Sequence, residues 1–284
     1  MARSETATRT AVAAVGIPIA LGAMYVGGWL LAAFLAACAV LATRELFRMA
    51  ELKRAFALDA LGVGGAGLLV LAGGLDPSRG LDTPVPGALV AALLLATLTA
   101  AIWMRGKEGE PLLSVAVTVL GAVYPALLVF ALFLRHLPGT ESALQGTLIL
   151  FFPVALTWLS DTFAYFAGRR WGRRKLIPKV SPGKTVEGSL GAVIGTPLVA
   201  VGYAFLLARF GTYRIGVAEA LLFGLLVSVA AQVGDLAESL FKRDVGVKDS
   251  GRLLPGHGGA LDRFDSLFFT LPLAYAFFRL VVGP

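Results

Sequence analysis

The chain has 284 residues, of which 57% are hydrophobic and only 15% are charged, and its formal net charge is +7. About 25% of the residues of soluble globular domains are charged, so this composition excludes an ordinary soluble protein. We expect an all-α, polytopic membrane protein. The single cysteine, Cys38, excludes a disulfide bond within the chain.

Nine apolar runs are long enough to cross a bilayer, which takes about 20 residues of helix. We predict an N-terminal part, residues 1–145, with five membrane helices, and a C-terminal catalytic part, residues 146–284, with four helices and the cytoplasmic loops 168–188 and 241–260. The nine predicted spans are 11–26, 28–43, 58–75, 85–104, 112–134, 148–167, 190–208, 217–240 and 260–282.

An alternative for the first residues is a cleaved lipoprotein signal, because Arg3 and Arg9 precede an apolar run and residues 35–38 resemble a lipoprotein cleavage box. The apolar stretch before Cys38 is longer than the h-region of about 7 to 15 residues in such signals, and Gly27-Gly28 interrupts it. We therefore expect Cys38 to be an ordinary helix residue.

The distribution of Lys and Arg predicts the orientation of the chain. With nine spans and a cytoplasmic N-terminus, 20 of the 25 bases fall on the cytoplasmic side. The positive-inside rule then predicts a C-terminus on the outer side. The segments on the outer side carry only Arg79, Arg135, Arg209, Arg214 and Arg279.

The basic loop 168–188 combines seven Lys and Arg residues with glycines and prolines. Its Gly183-Lys184-Thr185 resembles the end of a P-loop, but that pattern needs a glycine where this chain has Pro178, so a P-loop is excluded. The bases suit a polyanion such as a triphosphate or a lipid phosphate. The alternative is an interfacial anchor with Trp171 in the headgroup region. The mixed residue types favour binding at Ser181, Lys184, Thr185 and Glu187.

Asp161 interrupts an apolar helix about two turns from its cytoplasmic end. Even low-end insertion scales assign a cost of about 2.5 kcal/mol to Asp at the centre of a membrane helix, so an acid there predicts a function. We expect it to contribute to substrate binding. The alternative is a structural ion pair with an arginine of the cytoplasmic loops.

The eighth predicted helix ends with a polar stripe. Asp235, Glu238 and Lys242 share one face because they are three and seven residues apart, and Ser239 lies beside them. The ninth predicted helix opens with glycines and carries Asp262 and Asp265, again three residues apart. Carboxylate oxygens suit Mg²⁺, which one or two carboxylates and substrate phosphates typically bind, and a helix N-terminus suits phosphate.

The predicted metal ligands are therefore Asp235, Asp262, Glu238 and Asp265. A structural alternative remains for each of them, such as a salt bridge from Asp262 to Arg263 or Lys248. A zinc site at His257 is not expected, because the other histidine, His136, lies on the opposite side and Cys38 is remote.

The run S-x-x-K-R-x-x-x-x-K-D, continuing to P-G-H-G-G-A-L-D-R-F-D between Ser239 and Asp265, resembles the signature of phosphatidate cytidylyltransferases, also called CDP-diacylglycerol synthases. Residues 160–165 and 181–188 are also similar to segments of that family. The N-terminal half resembles the family only in its hydropathy.

The resemblance implies transfer of CMP from CTP to phosphatidate, with CDP-diacylglycerol and pyrophosphate as products. It further implies one or two Mg²⁺ ions bound by Asp235 and Asp262, a homodimer among membrane lipids, an active site facing the cytoplasm at the inner (plasma) membrane, and no nucleic-acid partner. The residues that it places at the nucleotide and phosphate site are Lys242, Arg243, Lys248, Asp249, His257 and Arg263. We expect Lys242, Lys248, Asp249 and His257 to be catalytic together with Asp235 and Asp262, and Arg243, Arg263 and Ser239 to bind substrate.

The residues fit this chemistry, because an ionised phosphatidate oxygen needs charge stabilisation and positioning rather than a strong base. Two other functions remain open at the level of the sequence. A CTP-dependent lipid kinase of the polyprenol or dolichol type would use similar residues but transfer the γ-phosphoryl group. An ion- or proton-coupled transporter would use the acids as a cation path, although they cluster at one side and no repeated halves are evident. A structural scaffold leaves the acids unexplained.

Overall fold

The structure is a computed structural model that describes residues 2–210, 213–251 and 258–283, with side chains from residue 14 onward. It is built almost entirely of helices. The helices are α1 (Ala2–Val26), α2 (Gly28–Glu51), α3 (Asp59–Gly73), α4 (Val85–Met104), α5 (Pro111–Ala126), α6 (Val129–Arg135), α7 (Ala143–Trp171), α8 (Val186–Arg209), α9 (Val217–Asp244), α10 (Leu261–Phe264) and α11 (Leu267–Phe277), with a 3₁₀ turn at Gly80–Asp82 and a π-helical end at Phe278–Val282.

Seven helical stretches in the described ranges are long and apolar enough to cross a membrane. Two shorter apolar helices, Ala14–Val26 and Asp59–Gly73, coincide with the first and third predicted spans. The all-α, multi-pass class is thereby confirmed, whereas the count of nine and the orientation stay predictions. The seven stretches are Gly28–Glu51, Val85–Met104, Pro111–Arg135, Ala143–Trp171, Val186–Arg209, Val217–Asp244 and Leu261–Val282.

The chain divides into two compact units. The first unit contains Met1–Phe133 and Asp244–Phe264, and the second contains Leu134–Arg243 and Asp265–Pro284. This division reflects the packing of the chain and not its function. The predicted functional division at residue 145 therefore stays a prediction.

The first unit is organised by close packing of α2, α3 and α5. The buried ring of Phe47 fills the space that side chains at Gly62 and Gly121 would occupy. Before α3, Thr118 Oγ1 accepts a hydrogen bond from the Leu58 backbone N–H at 2.7 Å, and Arg105 donates to the Ala57 carbonyl at 2.5 Å. These contacts fix the segment that joins α2 to α3.

In the second unit, α7 and α8 pack against each other through small residues. A Cβ added to Gly188 would lie 2.7 Å from the Ala164 carbonyl oxygen, and a Cβ on Gly191 would overlap the Ala167 methyl group. Only glycine permits this approach of the two backbones. The close contact brings the C-terminal end of α7 against the N-terminal end of α8.

The basic loop 168–188 between α7 and α8 is more regular than the sequence predicts, because it contains an antiparallel hairpin of β1 (Lys175–Ile177) and β2 (Ser181–Thr185). The Val180 N–H donates to the Ile177 carbonyl at 3.1 Å, and Pro178 occupies the second position of that turn, where its fixed φ is favourable. The hairpin gives the basic side chains a defined backbone instead of a mobile loop.

Candidate active site

A cavity of about 490 Å³ lies in the second unit, where α7, α8, α9 and the hairpin meet. Four of the predicted site residues, Asp161, Lys184, Thr185 and Asp235, line it. The other lining residues are Ala164, Tyr165, Gly168, Arg169, Leu176, Gly183, Gly188, Ser189 and Gln232.

An ion pair crosses this cavity. Lys184 Nζ, from β2, lies 2.7 Å from Asp235 Oδ2, from α9, with 26% and 32% of the two side chains exposed. Ser239, one helical turn after Asp235, donates its hydroxyl to Asp235 Oδ1 at 3.2 Å. Asp161 and Asp265 both lie within electrostatic range of Asp235. The structure therefore brings together three carboxylates and one ammonium group that the sequence analysis singled out separately.

Two of the predicted binding residues place the hairpin. Thr185 is the N-cap of α8, and its side chain accepts a hydrogen bond from the Gly188 N–H at 3.1 Å. Glu187 accepts from the backbone N–H groups of Arg173 at 3.0 Å and Arg174 at 3.2 Å. The first contact holds the junction of β2 and α8, and the second holds the residues before β1, so together they hold the hairpin that carries Lys184. The predicted substrate contacts of Thr185 and Glu187 stay predictions.

The polar stripe on α9 contains a second ion pair, which lies C-terminal to Asp235. Glu238 is fully buried, and its Oε2 lies 2.5 Å from Lys242 Nζ. The next residue, Arg243, donates from Nε to the Val180 carbonyl in the hairpin turn at 3.3 Å. The stripe predicted from the spacing thus exists, with each of these groups in contact with a neighbour. Metal binding by Glu238 stays a prediction.

Asp265 lies in a turn between α10 and α11 rather than within one continuous helix. Its Oδ1 accepts from the Ser266 N–H at 2.5 Å, and the Ser266 hydroxyl donates to the Ala231 carbonyl on α9 at 3.1 Å. A Cβ on Gly234 would lie 2.7 Å from the Asp265 carbonyl oxygen. This close packing against α9 brings Asp265 near the cavity acids.

Asp262 belongs to the first unit, where it organises the end of the signature segment. Its Oδ2 accepts hydrogen bonds from the Ser250 N–H at 2.9 Å, the Ser250 hydroxyl at 2.8 Å and the Gly259 N–H at 2.8 Å. The carboxylate thus joins the two sides of the loop that precedes α10. Its predicted role as a metal ligand stays a prediction.

Glu45 on α2 is a buried acid that the sequence analysis did not single out. It accepts hydrogen bonds from the backbone N–H groups of Ala260 at 2.9 Å and Leu261 at 2.8 Å, and from the Ser250 hydroxyl at 3.1 Å. Glu45 lies two residues beyond the predicted span 28–43 and next to Arg44, so nothing in the sequence distinguished it from an ordinary charged residue at a helix end.

The remaining predicted residues have less defined surroundings. Lys248, Asp249 and Arg263 are exposed, Ser181 is half-buried at the start of β2, and His257 lies outside the described residues.

The donor set fits Mg²⁺ by its chemistry. Across the described ranges, no three His, Cys, Asp or Glu side chains converge on one point as a preformed metal cage. Mg²⁺ rarely uses such a cage, because it keeps several waters and takes one or two carboxylates together with substrate phosphates. Asp235, with the carboxylates of Asp161 and Asp265 within electrostatic range, offers oxygen ligands of this kind.

Comparisons with known proteins cover almost the whole chain. The family model described as "Cytidylyltransferase family" matches residues 7–281. The phosphatidate cytidylyltransferase of Staphylococcus haemolyticus is 32% identical over 265 residues, which are 93% of this chain and 96% of that protein. The phosphatidate cytidylyltransferase of Synechocystis sp. is 34% identical over 301 residues, covering 95% of each. The uncharacterized protein YnbB of Escherichia coli is 47% identical over 149 residues, 52% of this chain and 48% of that protein.

Proposed function

The chain belongs to the cytidylyltransferase family, and we propose that it transfers CMP from CTP to phosphatidate, forming CDP-diacylglycerol and releasing pyrophosphate. Two relatives named phosphatidate cytidylyltransferase match it over nearly their full length, in agreement with the resemblance carried by its signature. The chain is accordingly a multi-pass membrane protein and a nucleotidyltransferase of phospholipid biosynthesis. We assign this activity to the 490 Å³ cavity because the Lys184–Asp235 ion pair lies in it.

The chemistry requires positioning and charge stabilisation. A phosphatidate oxygen, already ionised, attacks the α-phosphorus of CTP in line, and the pyrophosphate leaves on the opposite side. Lys184 can exchange its contact with Asp235 for a phosphate oxygen of CTP, because an ammonium group forms charge-assisted hydrogen bonds with carboxylate and with phosphate. Arg169 and the other bases of the hairpin region add positive charge where the polyanion enters. No side chain has to remove a proton in this step.

Asp235 is the residue of the second unit that we propose as a ligand of Mg²⁺, and the ion when bound supplies Lewis-acid stabilisation of the α-phosphate. Ser239 orients the Asp235 carboxylate through its hydrogen bond to Oδ1. Asp262 remains the second proposed ligand, on the strength of the signature. We propose one or two bound ions, and direct measurement of Mg²⁺ binding to the purified protein would give their number.

For the membrane arrangement we propose nine spans, with the two shorter apolar helices as the first and third. The N-terminus is then cytoplasmic, the C-terminus lies on the outer side, and 20 of the 25 bases face the cytoplasm. This places the active site at the cytoplasmic side of the inner membrane, where CTP is supplied. We also propose a homodimer, as the family resemblance implies.

The deciding experiment uses the purified full-length protein in detergent with phosphatidate, Mg²⁺ and CTP labelled at either the α- or the γ-phosphate. We expect label in the lipid from α-labelled CTP alone. Label from γ-labelled CTP would instead indicate a lipid kinase, and absence of labelling from both would contradict group transfer.

A further inference from the structure

In the first unit, a residue of α2 accepts hydrogen bonds from the loop before α10, whose described residues are 250–251 and 258–260 and which lies more than 200 positions later in the chain. Glu45 on α2 is only 4% exposed, and it accepts hydrogen bonds from the Ala260 and Leu261 N–H groups and from the Ser250 hydroxyl. Both backbone N–H groups belong to the residues immediately before Asp262. The start of α10 is therefore bound to a side chain of α2.

Asp262 shares this cluster through Ser250. The Ser250 hydroxyl lies 3.1 Å from Glu45 Oε2 and 2.8 Å from Asp262 Oδ2, and the Ser250 N–H also donates to Asp262. Glu45 thus acts on Asp262 along two routes, the backbone of residues 260–261 and the side chain of Ser250. Fixing both routes limits the positions that the Asp262 carboxylate can take.

The glycines of the loop show how closely it is fitted to these two acids. A Cβ on Gly251 would lie 2.7 Å from Glu45 Cδ, and a Cβ on Gly258, which has a φ of +80°, would lie 2.7 Å from Asp262 Oδ2. A Cβ on Gly259 would overlap both Glu45 and Ser250. The loop backbone reaches the carboxylates only because these positions lack side chains.

We propose that Glu45 is a positioning residue for Asp262. It acts through the Ala260 and Leu261 N–H groups and the Ser250 hydroxyl, and it sets the orientation of a carboxylate that the proposed function assigns to the metal. The role of Glu45 in metal binding rests on the proposed function, whereas its hydrogen bonds to the loop do not depend on that function. A carboxylate is required because its oxygens accept from all three donors, whereas an amide presents an NH₂ group to a backbone N–H.

The test compares full-length Glu45→Gln with wild type in detergent, and uses Glu51→Gln as the matched control on the exposed end of the same helix. Amide hydrogen exchange of residues 258–262, measured without CTP, lipid or Mg²⁺, should become about 10-fold faster in Glu45→Gln because two hydrogen-bond acceptors are perturbed. Exchange in α3 and α5 should stay unchanged, and Glu51→Gln should match wild type.

The second readout separates positioning from general destabilisation. Loss of a residue that orients a metal ligand typically lowers metal affinity or activity by about 10- to 100-fold. We expect Glu45→Gln to lower kcat and to raise the Mg²⁺ concentration for half-maximal activity by such a factor, with the KM for CTP nearly unchanged. Equal losses across all parameters, together with faster exchange throughout the first unit, would overturn the proposal.

A second variant keeps the test decisive if Glu45→Gln does not fold. Ser250→Ala removes only the hydroxyl and preserves the backbone contacts of Glu45, so it should fold, speed local exchange and raise the Mg²⁺ requirement by a smaller factor. Wild-type exchange and Mg²⁺ response in Ser250→Ala would then refute the proposal. A wild-type protein that labels no lipid would refute the proposed function instead, because the exchange experiment uses no substrate.

Discussion

Replacement of Asp235 by Asn is the sharpest perturbation of the cavity. The side chain keeps its shape, so the change removes mainly the charge that pairs with Lys184 at 2.7 Å. Because 26% and 32% of the two side chains are exposed, the pair resembles a surface salt bridge more than a buried one, and its loss should cost about 1 kcal/mol of folding free energy. The unfolding temperature should fall by roughly 2 to 4 °C.

The effect on turnover should be much larger than the effect on stability. Removing one preorganised electrostatic group from an active site, such as an oxyanion-hole donor, lowers kcat by about 10² to 10³, which corresponds to about 3 to 4 kcal/mol of barrier. We expect a loss of at least this size for Asp235→Asn. If the carboxylate is a metal ligand, the Mg²⁺ concentration for half-maximal activity should rise as well. Asp235 is a cleaner test than Asp262, because Asp262 Oδ2 also binds three donors of its own loop.

The assay is the transfer of α-label from CTP to phosphatidate by purified protein, with thermal unfolding measured on the same samples. Asp244→Asn is the matched control, since Asp244 ends the same helix and pairs with Lys53 at 3.2 Å in a far more exposed setting. It should retain wild-type turnover. A rate for Asp235→Asn within about tenfold of wild type, across a full Mg²⁺ titration, would refute its assignment as a metal ligand.

Three further predictions concern the framework of the site. Gly234→Ala would place a Cβ 2.7 Å from the Asp265 carbonyl oxygen, so it should destabilise the protein by about 1 to 3 kcal/mol; an unchanged unfolding temperature would contradict this packing. Thr185→Ala should cost about 1 kcal/mol through loss of the α8 N-cap, and Thr185→Ser should restore the wild-type unfolding temperature. Glu187→Gln weakens two backbone contacts of the residues before β1, so amide exchange in the hairpin should quicken by about tenfold, and exchange at the wild-type rate would exclude this role.

The sequence predicted the features that depend on local pattern. The all-α membrane class follows from apolar runs, and the stripe of Asp235, Glu238 and Lys242 follows from helical spacing; both agree with the structure. The hairpin at residues 175–185 was missed because its short basic strands have no apolar alternation by which a strand is recognised. Pro178 at the second position of the turn is a local signal, whereas Glu187 accepts from the N–H groups of Arg173 and Arg174, 14 and 13 positions away, and such contacts have no local pattern.

The sequence predicts a chemical role for the signature segment, but the contacts that hold this segment in place could not be predicted from it. Residues 244–251 and 258–264 carry charges and glycines but few apolar side chains, so they cannot form a core that fixes their conformation. The required acceptor lies on α2, 215 residues before Ala260 and 216 before Leu261. A single sequence contains no signal for such a pairing, because the spacing rules that relate Asp235 to Glu238 apply only within one helix. A polar loop at the end of a membrane helix therefore implies a buried partner elsewhere, and an unexplained acid such as Glu45 is the first residue to consider for that role.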